Sequence, residues 1–248
     1  MNALKVEGLA KSYPGFTLEG VSFTLARGRI MGLIGKNGAG KTTVLKAVLG
    51  LVPADGGEIE LLGRPRAGHE LEWKQKLGVV LGGIDFYRGK RLSVITEVIR
   101  RFYRGWDERA CRRYLDEFAL DPRKKVEELS AGMRVKYLVA LALSHGAELF
   151  VFDEPTSGLD PVSRDELLTS FRALTADGTR SILYSTHITS DLEKCADDIT
   201  YIKDGRLLSS GEKSVFLRSF QHLQTAEDAG PLTLEDIMVR TERREFHV

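Results

Sequence analysis

The sequence predicts an α/β fold, and three features of the chain carry that prediction. A glycine-rich loop at 35–43 lies between an apolar segment, 29–34, and a helix-like segment, 42–49. Strand-like and helix-like segments alternate again from residue 147 onward, which is typical of βαβ units. Between these regions, from about 83 to 146, helical periodicity replaces strand patterns. We therefore expect an α/β core with an antiparallel β subdomain and an inserted helical subdomain.

The glycine-rich loop reads Gly-Lys-Asn-Gly-Ala-Gly-Lys-Thr-Thr, which matches G-x-x-x-x-G-K-[ST] between a strand and a helix. Glycines let backbone N–H groups turn toward an anion, and the following helix N-terminus adds partial positive charge. In such a loop Lys41 reaches the β- and γ-phosphates, and the Thr42 hydroxyl is placed to hold Mg²⁺. A chance glycine-rich turn is the alternative, but the flanking strand and helix favour nucleotide binding. The core is therefore predicted to be a phosphate-loop NTPase.

Two carboxylates, Asp153 and Glu154, follow an apolar strand-like segment later in the chain. In phosphate-loop enzymes one carboxylate at such a position reaches the magnesium shell, and a neighbouring one can polarise the attacking water. Taken alone, the pair could equally open a turn before Pro155. His187 follows another strand-like segment, 181–186, and such a strand end can face the same crevice.

Strand patterns surround the phosphate loop and return after residue 147. Apolar residues in these segments either alternate with polar ones or run continuously, as in half-buried and buried strands. Strands are expected at 6–9, 17–25, 29–34, 57–62, 77–81, 149–152, 180–185 and 198–203. Core helices are expected at 42–49, 161–175 and 189–195, with S-x-x-E capping boxes at Ser163 and Ser190.

The remaining helices lie in the insertion and at the end of the chain. Ser93 and Asp107 are expected to cap the first two helices of the insertion. Ser130, together with Gly132, begins a further helix and forms a second helix start that can bind an anion. The expected helices are 94–103, 108–118, 133–143, 213–220 and 233–240.

Five motifs follow one another in an order that resembles the ATP-binding subunit of ABC transporters. The resemblance covers roughly residues 4–211, and it explains how one chain can carry two anion-binding helix starts. Two copies arranged head to tail would bring both starts to one nucleotide. In chain order the motifs are the loop 35–43, Leu129–Met133, Asp153–Glu154, Ser157–Asp160 and His187.

The resemblance implies a role for each matching residue. Thr42 ligates Mg²⁺ with support from Asp153, and Glu154 acts as general base or orients the attacking water. His187 contacts the γ-phosphate and links it to Glu154, while Tyr13 stacks on adenine. The implied catalytic residues are Lys41, Glu154 and His187, and the implied ATP-binding residues are Tyr13, Asn37, Gly38, Ala39, Gly40, Lys41, Thr42, Thr43, Ser130 and Gly132.

Part of the implied site serves the neighbouring subunit, and two positions depart from the family pattern. The resemblance implies that Ser130 and Gly132 contact ATP bound by the second subunit. It also implies that Asp160 lies at the interface between the two subunits. The family usually has glutamine where this chain has Gly82–Gly83, and a water can take the place of that metal contact. Met133 stands where the family often has glutamine, which affects the detailed contact of the signature loop.

Composition agrees with a globular ATPase and disfavours other classes. Of the 248 residues, 42% are hydrophobic and 29% charged, as in a soluble globular domain. The net charge of +1 gives no support to nucleic-acid binding, and acidic residues interrupt the basic stretch 100–109. No apolar run reaches eighteen residues, and the two cysteines match no metal or redox spacing. We expect a cytoplasmic protein, peripheral on the inner face of the membrane.

The stretches 150–160, 181–192 and 129–133 most resemble the Gram-positive ABC-2-type exporters of antimicrobial or toxic peptides. The predicted function is therefore ATP hydrolysis that powers a membrane exporter of peptides or antimicrobial compounds. ATP and Mg²⁺ are the expected cofactors, and the expected partners are a transmembrane permease and a second ATP-binding subunit. An ATP-gated clamp acting on DNA or ribosomes, or a low-turnover nucleotide switch, is the alternative. The predicted divisions are 1–82 and 147–211 for the core, 83–146 for the helical subdomain and 212–248 for a C-terminal helical extension.

Overall fold

A computed structural model gives the fold, and it describes residues 1–81, 87–225, 228 and 230–243. Ten strands and nine helices lie within these residues. The strands are β1 (Asn2–Tyr13), β2 (Phe16–Ala26), β3 (Ile30–Ile34), β4 (Gly56–Leu61), β5 (Arg64–Pro65), β6 (Leu77–Val80), β7 (Leu149–Asp153), β8 (Ser181–Ser185), β9 (Asp198–Lys203) and β10 (Arg206–Glu212). The helices are α1 (Lys41–Val48), α2 (Glu70–Lys76), α3 (Leu92–Ile99), α4 (Glu108–Glu117), α5 (Ala131–Ser144), α6 (Pro161–Thr175), α7 (Thr189–Cys195), α8 (Lys213–Ser219) and α9 (Leu234–Arg243).

The strands form one mixed sheet in the order β5-β4-β1-β2-β10-β9-β3-β8-β7-β6. Strands β1, β2, β4 and β5 pair antiparallel, whereas β9, β3, β8, β7 and β6 pair parallel. Parallel strands end at one edge of a sheet, so the segments after β3, β7 and β8 meet there. The predicted α/β class with an antiparallel β subdomain and an inserted helical part is confirmed.

Both faces of the parallel sheet are buried, and the alternation of side chains along β7 shows how. Phe150 and Phe152 pack into the cluster beneath α5, α6 and α7, whereas Leu149 and Val151 pack into the cluster on the α1 side. Every residue of β3, β7 and β8 is buried. A third apolar cluster lies within the helical part and includes Leu92. Burial on both faces fixes the strand ends that carry the site.

Three predicted helix caps are wrong, and one is confirmed. The Asp160 carboxylate caps α6 by accepting the N–H groups of Val162 and Ser163, both at 3.0 Å, so Ser163 lies inside the first turn. The first N–H groups of α3 instead bond to carbonyls from 122 and 124, so Ser93 is not its cap. Helix α7 begins at Thr189 without a side-chain cap, which places Ser190 inside the helix. Asp107 caps α4 as predicted.

Several elements escaped the sequence prediction. Helix α2 buries only Trp73, so it shows little apolar periodicity. Side chains along strand β10 alternate between exposed and half-buried, but few of them are apolar. Its sequence therefore lacks the apolar–polar alternation that predicts a strand. The domain divisions at 82, 146 and 211 stay a prediction. Within the described part of the chain, every helix is too short or too polar to cross a membrane.

Candidate functional site

Two glycines, Gly35 after β3 and Gly40 before α1, shape the phosphate loop, and any other residue would be strained at either position. Gly35 has φ 152°, and a Cβ there would lie 2.2 Å from the carbonyl oxygen of Ile202. Gly40 has φ 111°, and a Cβ there would lie 2.8 Å from the Phe16 ring. Helix α1 begins directly after Gly40 without a side-chain cap. Among the described residues, no side chain accepts from its first N–H groups, which therefore suit an anion.

Lys41, the first residue of α1, is 6% exposed and directs its ammonium back into the loop. Its Nζ donates to the carbonyl oxygens of Gly35 at 2.7 Å and Lys36 at 3.2 Å. Burial lowers the Lys41 pKa, and the nearby charges of Glu154 and Asp153 partly oppose that shift. A desolvated ammonium held only by neutral carbonyls gains strongly from an anionic partner.

A hydroxyl and a carboxylate meet beside Lys41, where the carboxyl end of β7 faces the start of α1. The Thr42 hydroxyl donates to Asp153 Oδ2 at 2.9 Å, and the Ser185 hydroxyl donates to Asp153 Oδ1. Asp153 is buried. Hydroxyl and carboxylate oxygens are donors that Mg²⁺ prefers, so this pair fits the metal that the sequence predicts. The Ser185 contact, which orients the carboxylate, was missed because Ser185 reads as an ordinary strand residue.

Glu154 diverges from Asp153 because its backbone is left-handed. Its φ is 51°, and its N–H donates to the Ser185 carbonyl oxygen at 3.0 Å. This conformation sends the Glu154 carboxylate toward His187, whose Nδ1 lies 2.8 Å from Glu154 Oε2. The His187 side chain is 48% exposed, so it is accessible to solvent and to a ligand. The predicted proximity of Glu154 and His187 is observed.

A buried hydrogen-bond network supports the segment after Glu154. The Thr156 hydroxyl lies 2.9 Å from the Tyr184 hydroxyl, which donates to Asp191 Oδ2 at 3.1 Å. Burial raises the pKa of Tyr184. These contacts hold the chain beyond the carboxylate against β8 and α7. Sequence reasoning missed them because Thr156 is 28 residues from Tyr184 in the chain and none of the three residues belongs to a motif.

The cleft in front of the loop has a volume of about 540 Å³ and is large enough for a triphosphate. Phe16 lines this cleft, although the sequence analysis did not identify it, whereas Tyr13 is not among the lining residues. The Tyr13 ring is 41% exposed, with Lys11 Nζ 5.5 Å from its centroid. Its adenine-stacking role stays a prediction. The lining residues are Gly15, Phe16, Asn37, Gly38, Gly40, Lys41, Thr42, Thr43 and Glu154.

The second predicted anion site does not belong to this cleft. Ser130 caps α5 by accepting the Met133 N–H at 3.2 Å, and the Ser130 side chain is exposed. Gly132 packs against Leu159, and Asp160 caps α6. These residues are absent from the lining of the cleft, so their predicted contact with nucleotide stays a prediction. The replacement at Gly82–Gly83 falls outside the described residues.

Comparison with known proteins identifies the family. The sequence profile described as ABC transporter matches residues 18–157. The Nod factor export ATP-binding protein I of Ralstonia nicotianae is 35% identical over 216 residues, covering 84% of this chain and 67% of that protein. The linearmycin resistance ATP-binding protein LnrL of Bacillus subtilis is 32% identical over 217 residues, covering 85% and 70%.

A solved structure described as the ATP-binding subunit of an ABC transporter has the same fold. It superposes with a TM-score of 0.83 at 28% identity, covering 97% of this chain and 99% of that one. The match spans both the parallel and the antiparallel strands of the sheet, so the architecture is shared throughout.

Proposed function

This chain is an ATP-hydrolysing member of the ABC transporter family, and from that premise we propose that it powers an exporter of peptides or antimicrobial compounds. The carrying observation is that Lys41, Thr42 and Glu154 line one cleft, with Asp153 hydrogen-bonded to Thr42 and His187 hydrogen-bonded to Glu154. Export is supported by the two relatives, one described by Nod factor export and the other by linearmycin resistance.

The proposed chemistry is attack by water on the γ-phosphorus of ATP. The Glu154 carboxylate orients this water and accepts a proton from it as the new P–O bond forms. The bond between the γ-phosphorus and the β–γ bridging oxygen breaks, and the electron pair leaves with ADP. His187, held by Glu154 at 2.8 Å, donates a hydrogen bond to a γ-phosphate oxygen. Lys41 and the uncapped N–H groups of α1 stabilise negative charge on the phosphates.

Mg²⁺ would be held by Thr42 and Asp153, whose oxygen atoms already lie 2.9 Å apart. The ion supplies charge neutralisation for the phosphate oxygens. Ser185 keeps one Asp153 oxygen occupied and so directs the other toward Thr42. Ser185 therefore matters to the site because it orients the Asp153 carboxylate, although it belongs to no recognised motif.

We further propose that two subunits close head to tail, with Ser130 and Gly132 of one facing ATP bound by the other. Ser130 is exposed at the start of the 14-residue helix α5, and Gly132 lies beside Ser163 in the first turn of α6. The helix start is occupied by its own cap, so the contact to phosphate requires the small side chain and close approach that Gly132 permits.

The permease is proposed to dock on an apolar groove between α2, β6 and the turn after α3. The groove has a volume of about 470 Å³ and combines four exposed apolar side chains. Such a cluster favours a partner helix because its burial removes apolar surface from water. The exposed side chains and their exposed fractions are Leu51 59%, Leu71 76%, Val79 37% and Phe102 71%.

Affinity purification of the tagged chain from solubilised native membranes tests the assignment. Wild type and Val215→Glu, which alters a half-exposed valine on α8, are expected to retain one integral membrane polypeptide. Phe102→Glu is expected to lose it while phosphate release by the isolated chain persists. Retention of the membrane polypeptide by Phe102→Glu would contradict the groove. Tight ATP binding with negligible phosphate release, even with the membrane polypeptide, would favour the nucleotide switch instead.

A further inference from the structure

The end of α9 contacts the phosphate loop, although it lies about 200 residues away in sequence. Lys36, the second residue of the loop, directs its Nζ to Glu242 Oε2 at 3.3 Å and to Asp204 Oδ1 at 3.5 Å. Bonding to Glu242 raises the Lys36 pKa. The ammonium therefore points behind the loop, away from the residues that line the cleft.

Glu242 is itself held from the sheet. The Tyr201 hydroxyl donates to Glu242 Oε1 at 3.1 Å, so each carboxylate oxygen has its own donor. Tyr201 is fully buried on β9 and is the register partner of Ile34, the last residue before the loop. The Glu242 side chain is only 18% exposed, which strengthens its contact with the buried Tyr201, whereas the Lys36 side chain is 48% exposed and its ion pair is partly screened by solvent. Glu242 thus joins β9 to the loop that leaves β3.

The backbone carbonyl of Lys36, unlike its side chain, makes its contacts within the phosphate loop. Its carbonyl oxygen accepts Lys41 Nζ at 3.2 Å and the Ala39 N–H at 3.1 Å. Fixing the Lys36 side chain therefore restrains the carbonyl that organises Lys41 and the turn of the loop. A loop already shaped for its ligand binds with less loss of conformational entropy.

We propose that Glu242 is a positioning residue: acting through Lys36, it holds the phosphate loop in its nucleotide-binding shape, so that α9 sets the affinity for ATP. This inference rests on the nucleotide site proposed above. It assigns a part in ATP binding to the C-terminal helix, which contributes nothing to the lining of the cleft.

Helix α9 is anchored independently of Glu242, which makes the inference testable. Leu234 and Ile237 are fully buried in the core, and the Leu234 N–H donates to Glu193 Oε1 at 2.8 Å. Arg240 Nη1 also donates to Asp228 Oδ2 at 2.7 Å. Removing the charge of Glu242 should therefore leave α9 in place.

The test measures ATP affinity by calorimetric titration and the steady-state constants by phosphate release. Glu242→Gln should weaken ATP binding about three- to tenfold and raise KM by a similar factor, with kcat nearly unchanged. The matched control is Glu235→Gln, the same change at an exposed position of the same helix, which should bind as wild type. The melting temperatures of both variants should stay close to that of wild type.

A double-mutant cycle separates positioning from other roles. In a Lys36→Met background, Glu242→Gln should cause no further loss, because the contact it removes is already gone. Lys36→Arg should retain most of the affinity. Unchanged or tighter ATP binding by Glu242→Gln would overturn the inference, as would an undiminished effect in the Lys36→Met background. Failure of the wild-type chain to bind ATP would instead overturn the nucleotide site itself.

Discussion

Replacing Lys41 by methionine separates the ammonium's effect on stability from its effect on nucleotide binding. Methionine preserves most of the length of the side chain but removes its charge. Among the described residues, the ammonium's hydrogen-bond partners in the free protein are the neutral carbonyls of Gly35 and Lys36. When ATP binds, we expect the same ammonium to exchange these partners for phosphate oxygens, so the variant should lose mainly the charged contacts.

The expected loss of affinity follows from the strength of those contacts. Hydrogen bonds to charged groups contribute about 1.5–3 kcal/mol each, and about 3 kcal/mol for the site corresponds to roughly a hundredfold rise in Kd. The free energy of unfolding should respond differently from the ATP affinity. Burial lowers the Lys41 pKa, so at neutral pH the charged form costs folding free energy that methionine does not. The free energy of unfolding should stay within about 1 kcal/mol of wild type or rise.

Calorimetric ATP titration and urea unfolding measure the two quantities on the same preparations. Lys46→Met, at an exposed position on α1, is the matched control and should change neither quantity appreciably. An ATP Kd for Lys41→Met within about threefold of wild type would refute the assignment of Lys41 to the phosphates. A loss of binding that accompanies global destabilisation would show a structural role for the ammonium instead.

Three further changes test other parts of the molecule. Glu154→Gln should lower phosphate release by about a hundredfold or more while ATP affinity persists, and near-normal release would assign the base to another residue. Ser130→Arg should bind ATP as wild type but lose any steeper-than-linear dependence of ATPase activity on protein concentration; Ser130→Asn, which keeps the cap, controls for α5. Burial lowers the His145 pKa to about 4, below its usual 6.5, so urea unfolding should show about 3 kcal/mol of stability lost as pH falls from 6.5 to 4. His145→Phe should remove that part of the pH dependence, and an unchanged slope would show that His145 titrates normally.

Local sequence was sufficient to predict features in which one short segment determines both the backbone geometry and the chemistry. The loop around Gly35 and Gly40 was predictable because only glycine permits its φ values and close approaches. Asp107 was identified correctly as a cap because it immediately precedes its helix. Ser163 and Ser190 misled the prediction because an S-x-x-E pattern also occurs inside a helix that has begun earlier.

Contacts between distant segments were not predictable from local pattern. Nothing near Ser185 or Tyr184 marks them as supports for Asp153 and the chain after Glu154, because their partners are more than 25 residues away. The same holds for Glu242, whose partners belong to β9 and the loop. Such contacts depend on strand order, which one sequence without a template does not specify.

The position of β3 in the sheet also constrains the order of events during synthesis. This early strand pairs on one side with β8 and on the other with β9, with Met31 opposite Leu183 and Asp198. A ribosome that has released the whole phosphate loop has therefore not yet made either of its neighbours. We expect the nascent chain to acquire nucleotide affinity only after residue 203 has left the exit tunnel. Until then β3, the apolar strand that precedes the phosphate loop, lacks both of its neighbouring strands, and a chaperone can bind it.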